Sequence, residues 1–210
     1  MPDLDPRDRR RARFLIPDTM PLSLLGLIGP DALDWLFVPG AEVWITDMVE
    51  QEATRDPDPG ADPRRQHRTT IAAWFAANRH RISIRTTGVG EDYREAMETW
   101  GLAGRPPRLK PKWRDRGERS VFEVLDAAER SVRGGEAVVV LTDDANARAA
   151  LLARTGLDID LMGTESFIAW MAGTFGVAGA DTAWQTIVAA TGGTAAITGD
   201  DDPVYVRRPG

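Results

Sequence analysis

The stretch Ala137-Val138-Val139-Val140-Leu141, followed by Thr142-Asp143-Asp144, decides the fold. A strand with one face in water alternates polar and apolar side chains. An unbroken apolar run bounded by turn signals is instead expected of a strand buried on both faces, as inside a parallel sheet. Upstream, Val121, Val124, Leu125 and Ala128 recur at helix spacing between Glu118 and Gly134-Gly135. Downstream, Asp143 or Asp144 opens a helix through Ala149, Leu151 and Leu152, closed by Gly156. Helix, buried strand and helix in succession imply βαβ units.

The same alternation extends outward. Arg13-Phe14-Leu15-Ile16, stopped by Pro17, reads as a first strand, and a helix follows from Pro21 through Leu22, Leu24, Leu25 and Leu27. Gly29-Pro30-Asp31 breaks it, and Asp31 caps a short helix through Leu33, Trp35 and Leu36. Glu42-Val43-Trp44-Ile45 is a second strand, with Thr46 or Asp47 capping a helix to about Thr54. Arg55 to Arg65 is rich in Asp, Pro and Gly and reads as a loop. Helices are expected over Thr69–Arg79 and Asp92–Trp100, with a strand at Ile82-Ser83-Ile84 between them. Three prolines keep 101–116 from regular structure throughout. Ile159 and Leu161 mark a late strand, Thr164 caps a helix through Phe167, Ile168 and Met171, and Ala183–Ala190 is a last helix. The chain divides into a polar arm at 1–12, an α/β domain at 13–176, and a helical extension and loose polar tail at 177–210.

With 210 residues, 42% apolar and 28% charged, the chain has the composition of a soluble globular protein. No apolar run is long enough to span a bilayer, and the arginine-rich start lacks the apolar core of a secretory signal, so a cytoplasmic location and no membrane partner are expected. The absence of cysteine removes disulfides, thiolate metal sites and a cysteine nucleophile. The two histidines, His67 and His80, lack a second ligand at metal spacing and read as surface residues. There is no nucleophile elbow, Walker-type loop or dinucleotide fingerprint. The net charge of −6 argues against a simple basic nucleic-acid binder, but cations cluster at Arg7–Arg13, Arg64–Arg81 and Arg105–Arg119. Arg108, Lys110, Lys112 and Arg114, with Trp113 among them, suit a single-stranded RNA backbone with stacked bases; a solvated loop is the plainer reading.

The chemistry gathers at strand ends. Asp18 follows the first strand, Glu52 lies on the helix after the second, Glu118 starts a helix, and Asp143-Asp144 end the valine strand. Residues at the carboxyl ends of parallel strands meet in one crevice, and carboxylates gathered there call for a hard, oxygen-loving cation such as Mg2+ or Mn2+. Each acid also has a structural role open to it. Asp18, Asp143 and Asp144 can cap helices, Glu118 suits a helix dipole, and Glu52 can pair with Arg55 or Arg65.

In order and spacing, Asp18, Val49-x-x-Glu52, Gly117-Glu118, Thr142-Asp143-Asp144 and Gly163-Thr164 resemble a PIN-domain ribonuclease over roughly Phe14 to Phe175. The resemblance implies a three-layer α/β/α sandwich with a mainly parallel sheet, and a metal-assisted endoribonuclease. Toxin-type members imply a small antitoxin protein as partner; a homodimer is compatible with the same reading. Asp18, Glu118 and Asp144 would be metal ligands, with Asp143 competing with Asp144. Glu52 would orient or deprotonate the attacking water, with Glu50 and Asp47 as its alternatives. The insertions at 55–66 and 88–116 and the extension after Phe175 depart from a compact member of the family. A PIN-like binding module without catalysis, or another Mg2+-binding α/β domain of the response-regulator kind, are the competing readings.

Overall fold

The structure is a computed structural model that describes residues 11–55, 65–111, 116–153, 159–193 and 204–206. The expected loop at 55–65 lies almost wholly outside the described residues, as do Lys112, Trp113, Arg114 and the helix-closing Gly156.

Five parallel strands form the centre: β1 (Arg11–Pro17), β2 (Glu42–Thr46), β3 (Ile82–Arg85), β4 (Glu136–Leu141) and β5 (Ile159–Met162). A short β6 (Val204–Val206) adds antiparallel to β5, giving the order β3-β2-β1-β4-β5-β6. The run from Ala137 to Leu141 is buried throughout, as a strand covered on both faces must be. The described helices are α1 (Thr19–Ile28), α2 (Pro30–Leu33), α3 (Asp47–Thr54), α4 (Arg65–Asn78), α5 (Gly88–Leu102), α6 (Arg116–Ser131), α7 (Ala145–Leu152), α8 (Thr164–Phe175) and α9 (Ala180–Ala190). One group packs α1 with α2, α4, α8 and α9; another packs α3, α5 and α6, with α3 also touching α1 and α4. The architecture is α/β, consistent with the three-layer sandwich.

Several boundaries differ from the sequence reading for local reasons. α1 begins at Thr19 because the Asp18 carboxylate accepts the Thr19 N–H, which leaves Pro21 in a first turn where its missing N–H is harmless. Gly29, not Asp31, precedes α2, and Pro30 occupies its first position. α5 begins four residues early because Thr87 caps it through the Gly90 N–H. Thr164 is the first residue of α8 and Gly163 the cap. The tail expected to be loose supplies β6, and β1 begins at Arg11, inside the expected arm.

The strand order fixes where a site can form. β1 lies between β2 and β4, so the connections leaving β1 and β4 run to opposite sides and open a crevice at their carboxyl ends. Pro17 pairs with Leu141, and the Asp18 N–H donates to the Leu141 carbonyl at 2.8 Å. Asp18 and Thr142-Asp143-Asp144 therefore emerge side by side.

Candidate functional site

A cleft of about 810 Å³ opens at this crevice. Asp18, Glu52, Glu118, Asp143 and Asp144 all line it, along with Thr19, Asn146, His67 and Arg68 and an apolar side that includes Met20, Leu24 and Leu27 of α1. The acids read from the sequence thus converge at one end of the sheet. Of the alternatives to Glu52, Asp47 is engaged elsewhere: it accepts the Thr87 hydroxyl at 2.7 Å and pairs with Arg94 at 2.8 Å. Glu50 pairs with Arg79. Glu52, two residues beyond Glu50, is the acid of α3 that lines the cleft.

Three carboxylates are held by separate devices. Asp18 Oδ1 accepts the Thr19 N–H at 2.7 Å, and Oδ2 accepts the Thr142 hydroxyl at 3.4 Å. Glu52 Oε2 accepts the Thr19 hydroxyl at 3.1 Å. Glu118 sits in the first turn of α6, which is tied down from beneath. There the buried Ser120 hydroxyl donates to the Gly117 carbonyl at 2.6 Å and lies 2.6 Å from the Thr46 hydroxyl. A hydroxyl has a single proton; with Ser120's given to Gly117, Thr46 is the donor of the second bond. Thr46 also caps α3 by accepting the Val49 N–H. This buried chain locks the turn bearing Glu118 to the start of the helix bearing Glu52.

Gly117 leaves the Glu52 carboxylate its place, which a side chain at 117 would displace. A Cβ there would stand 2.8 Å from Glu52 Oε2 and 3.5 Å from Asp18 Oδ1. The Glu52 and Asp18 oxygens thus face a common point that a side chain at 117 would fill. The electrostatics match this crowding. Burial pushes the Asp18 carboxyl up to about 6, and the Glu52 and Glu118 charges push the same way; the bonds from Thr19 and Thr142 pull against them.

The Asp143-Asp144 pair lines the cleft and also serves the helices that follow it. Asp143 is buried, and its oxygens accept the Thr164 N–H at 2.7 Å and the Thr164 hydroxyl at 2.6 Å. Through these bonds Asp143 ties β4 to the N-terminus of α8, while each oxygen keeps a lone pair and the residue still lines the cleft. Burial raises its pKa, opposed by the Thr164 bonds and by the charge of Arg148. Asp144 is exposed at the rim, and its Oδ1 caps α7 through the Asn146 and Ala147 N–H groups.

The chemistry of Asp18, Glu52 and Glu118 fits a hard divalent cation, since all the donors are oxygens and two of them face one point beside Gly117. Among the described residues no three acids or histidines are already drawn into a single coordination sphere.

The expected basic loop is not at this cleft in its described part. Arg108 and Lys110 are exposed and do not line it. Leu109 and Pro111 instead border a second cavity of about 430 Å³ on α5, and the Lys110 ammonium lies 5.8 Å from the Trp100 ring. His80 is exposed as expected, but His67 is buried and lines the cleft. The signal for His67 was present: with Ile71 and Trp74 it occupies one helix face at spacings of four and three. No helix among the described residues is long and apolar enough to cross a membrane. The chain matches no family model, no curated protein and no solved structure.

Proposed function

We propose that the cleft is the centre of a divalent-cation-dependent endoribonuclease of the PIN type. The observation that carries the reading is the meeting of Asp18, Glu52 and Glu118 in one cleft at the sheet's switch point, with Gly117 leaving room between Glu52 and Asp18. Asp18 and Glu118 would hold Mg2+ or Mn2+, with Asp144 at the rim. When bound, such an ion offsets the charge of a phosphodiester and acidifies a coordinated water. Glu52, oriented by the Thr19 hydroxyl, aligns the attacking water and takes its proton. Asp18, with its carboxyl at about 6, is largely ionised at pH 7 and so ready for a cation. An antitoxin-like protein partner belongs to the same proposal. The observation favouring a binding module without catalysis is that Asp143, and one oxygen of Asp144, serve helix N-termini.

The experiment is cleavage of single-stranded RNA by the wild type and Asp18→Asn, with Mg2+ or Mn2+ and with EDTA. The expected outcome is EDTA-sensitive cleavage by the wild type, lost at least a hundredfold in Asp18→Asn, roughly the scale of one electrostatic catalytic contact. EDTA-sensitive activity that survives undiminished in the pure variant would sink the assignment.

A further inference from the structure

Carboxylates alone repel a polyanion, so the cleft needs a local cation to draw one in. Among the described residues, Arg68 is the one Lys or Arg that lines it. We propose that Arg68 is the phosphate-positioning residue, gripping a backbone phosphate of single-stranded RNA beside the scissile one that a cation at Asp18 and Glu118 would engage; this role rests on the ribonuclease reading above.

Three observations support it. First, Arg68 stands on a rigid element. The preceding residue, His67, is buried, and Ile71, one turn on, is buried so closely against α1 that a Cβ at Gly26 would meet its side chain at 2.9 Å. Second, its guanidinium is aimed. Nη1 donates to the Arg55 carbonyl at 3.4 Å. Arg55 is the C-cap of α3, three residues beyond Glu52. The contact therefore holds the guanidinium beside the helical turn that carries Glu52 into the cleft. One long bond orients the fork while using only one of about five N–H donors, and a planar fork suits two phosphate oxygens at once. Third, the described cations of the basic loop are elsewhere, since Arg108 and Lys110 are exposed outside the cleft.

The test measures binding of a single-stranded RNA oligonucleotide to the cleavage-dead Asp18→Asn chain across a salt series. Adding Arg68→Gln is expected to weaken binding about tenfold, as for the loss of a charge-assisted contact. It should also flatten the slope of log affinity against log salt by about 0.7, the release of one counterion from a single strand. Arg68→Lys should keep the slope while losing affinity severalfold, because it keeps the charge and loses the fork. In the active chain, Arg68→Gln should raise KM more than it lowers kcat, which a structural role would not do. A folded Arg68→Gln variant with unchanged affinity and slope overturns the assignment. If that variant melts early, Arg68→Lys decides, and unchanged affinity there overturns it equally. A parent chain that binds no RNA at all overturns the ribonuclease reading itself.

Discussion

Asp18 does two opposed things at once. It caps α1 through Thr19, and it stands in the cleft near two other acids. Its carboxyl lies at about 6 in the fold against an ordinary 3.8, chiefly through burial and secondarily through Glu52 and Glu118. Between those values the folded chain holds a proton that the unfolded chain has released. The sign follows directly: Asp18's contribution to stability is greatest below its unfolded value and is lost as pH rises through about 6. Asp18→Asn keeps an oxygen for the Thr19 N–H and never acquires the charge. The variant should therefore match the wild type near pH 4 and exceed it at pH 7.5, by no more than about 3 kcal/mol. Melting curves of both proteins across that range check this; a gap that is constant with pH would remove the electrostatic account. Divalent cations should narrow the gap at pH 7.5, because they bind the ionised wild type.

At the scale of elements, the site is a set of helix starts fastened to strand ends. α1 hangs on Asp18, α3 on Thr46, α7 on Asp144, and α8 on Asp143 through Thr164. Asp143 and Asp18 should consequently fail in different ways. Asp143→Ala leaves the Thr164 N–H and hydroxyl without their buried acceptor, which should destabilise the fold by about 2–4 kcal/mol. Whatever RNA cleavage Asp143→Ala retains at low temperature should keep the wild-type dependence on divalent-cation concentration. A cation titration followed by cleavage, paired with thermal melts, distinguishes a strut from a ligand. An unshifted melt with a much weakened cation dependence would make Asp143 a cation ligand first. The same contrast explains what was legible beforehand. The valine run from 138 to 140 and the helix spacing of Val121, Val124, Leu125 and Ala128 report burial directly, so the parallel sheet and the site's end of it could be read. The division of labour between Asp143 and Asp144 could not, because adjacent acids after a strand have equal local propensities. Only the position of Thr164, 21 residues away, separates them. His67, without a second ligand at metal spacing, read as a surface residue, although its spacing to Ile71 and Trp74 placed it on the apolar face. The Arg68 role depends on α4 packing against both α1 and α3, a contact with no sequence signature.

For the whole molecule, the sheet must end somewhere on each side, and an open edge invites pairing with another chain. On the β3 side, Arg85 stacks 4.1 Å from the Trp44 ring and Arg81 3.6 Å from the Phe37 ring, so cations flank that edge strand. On the other side β5 is entirely buried and apolar apart from Asp160, and it is closed by β6, whose Val204, Tyr205 and Val206 pair with Leu161, Asp160 and Ile159. The C-terminal segment is thus part of the sheet. A chain ending at Gly193 would keep α9, and with it Ala190 and Thr191 at the cleft, while removing β6. The edge of β5 that faces β6 would lose its backbone partners at Ile159, Asp160 and Leu161, while the pairing with β4 remains. Net loss of a three-residue pairing should cost on the order of 2–3 kcal/mol, at about 1 kcal/mol per backbone bond. The larger effect should be in association. The truncated chain should form concentration-dependent dimers or aggregates by edge-to-edge pairing at β5, whereas divalent-cation-dependent cleavage per chain at low temperature should persist, because no described residue lining the cleft is lost. Size-exclusion chromatography over a tenfold concentration range, with melting curves, measures both. A truncated protein that stays in the wild-type oligomeric state and melts at the wild-type temperature would mean that β6 neither stabilises nor shields the sheet.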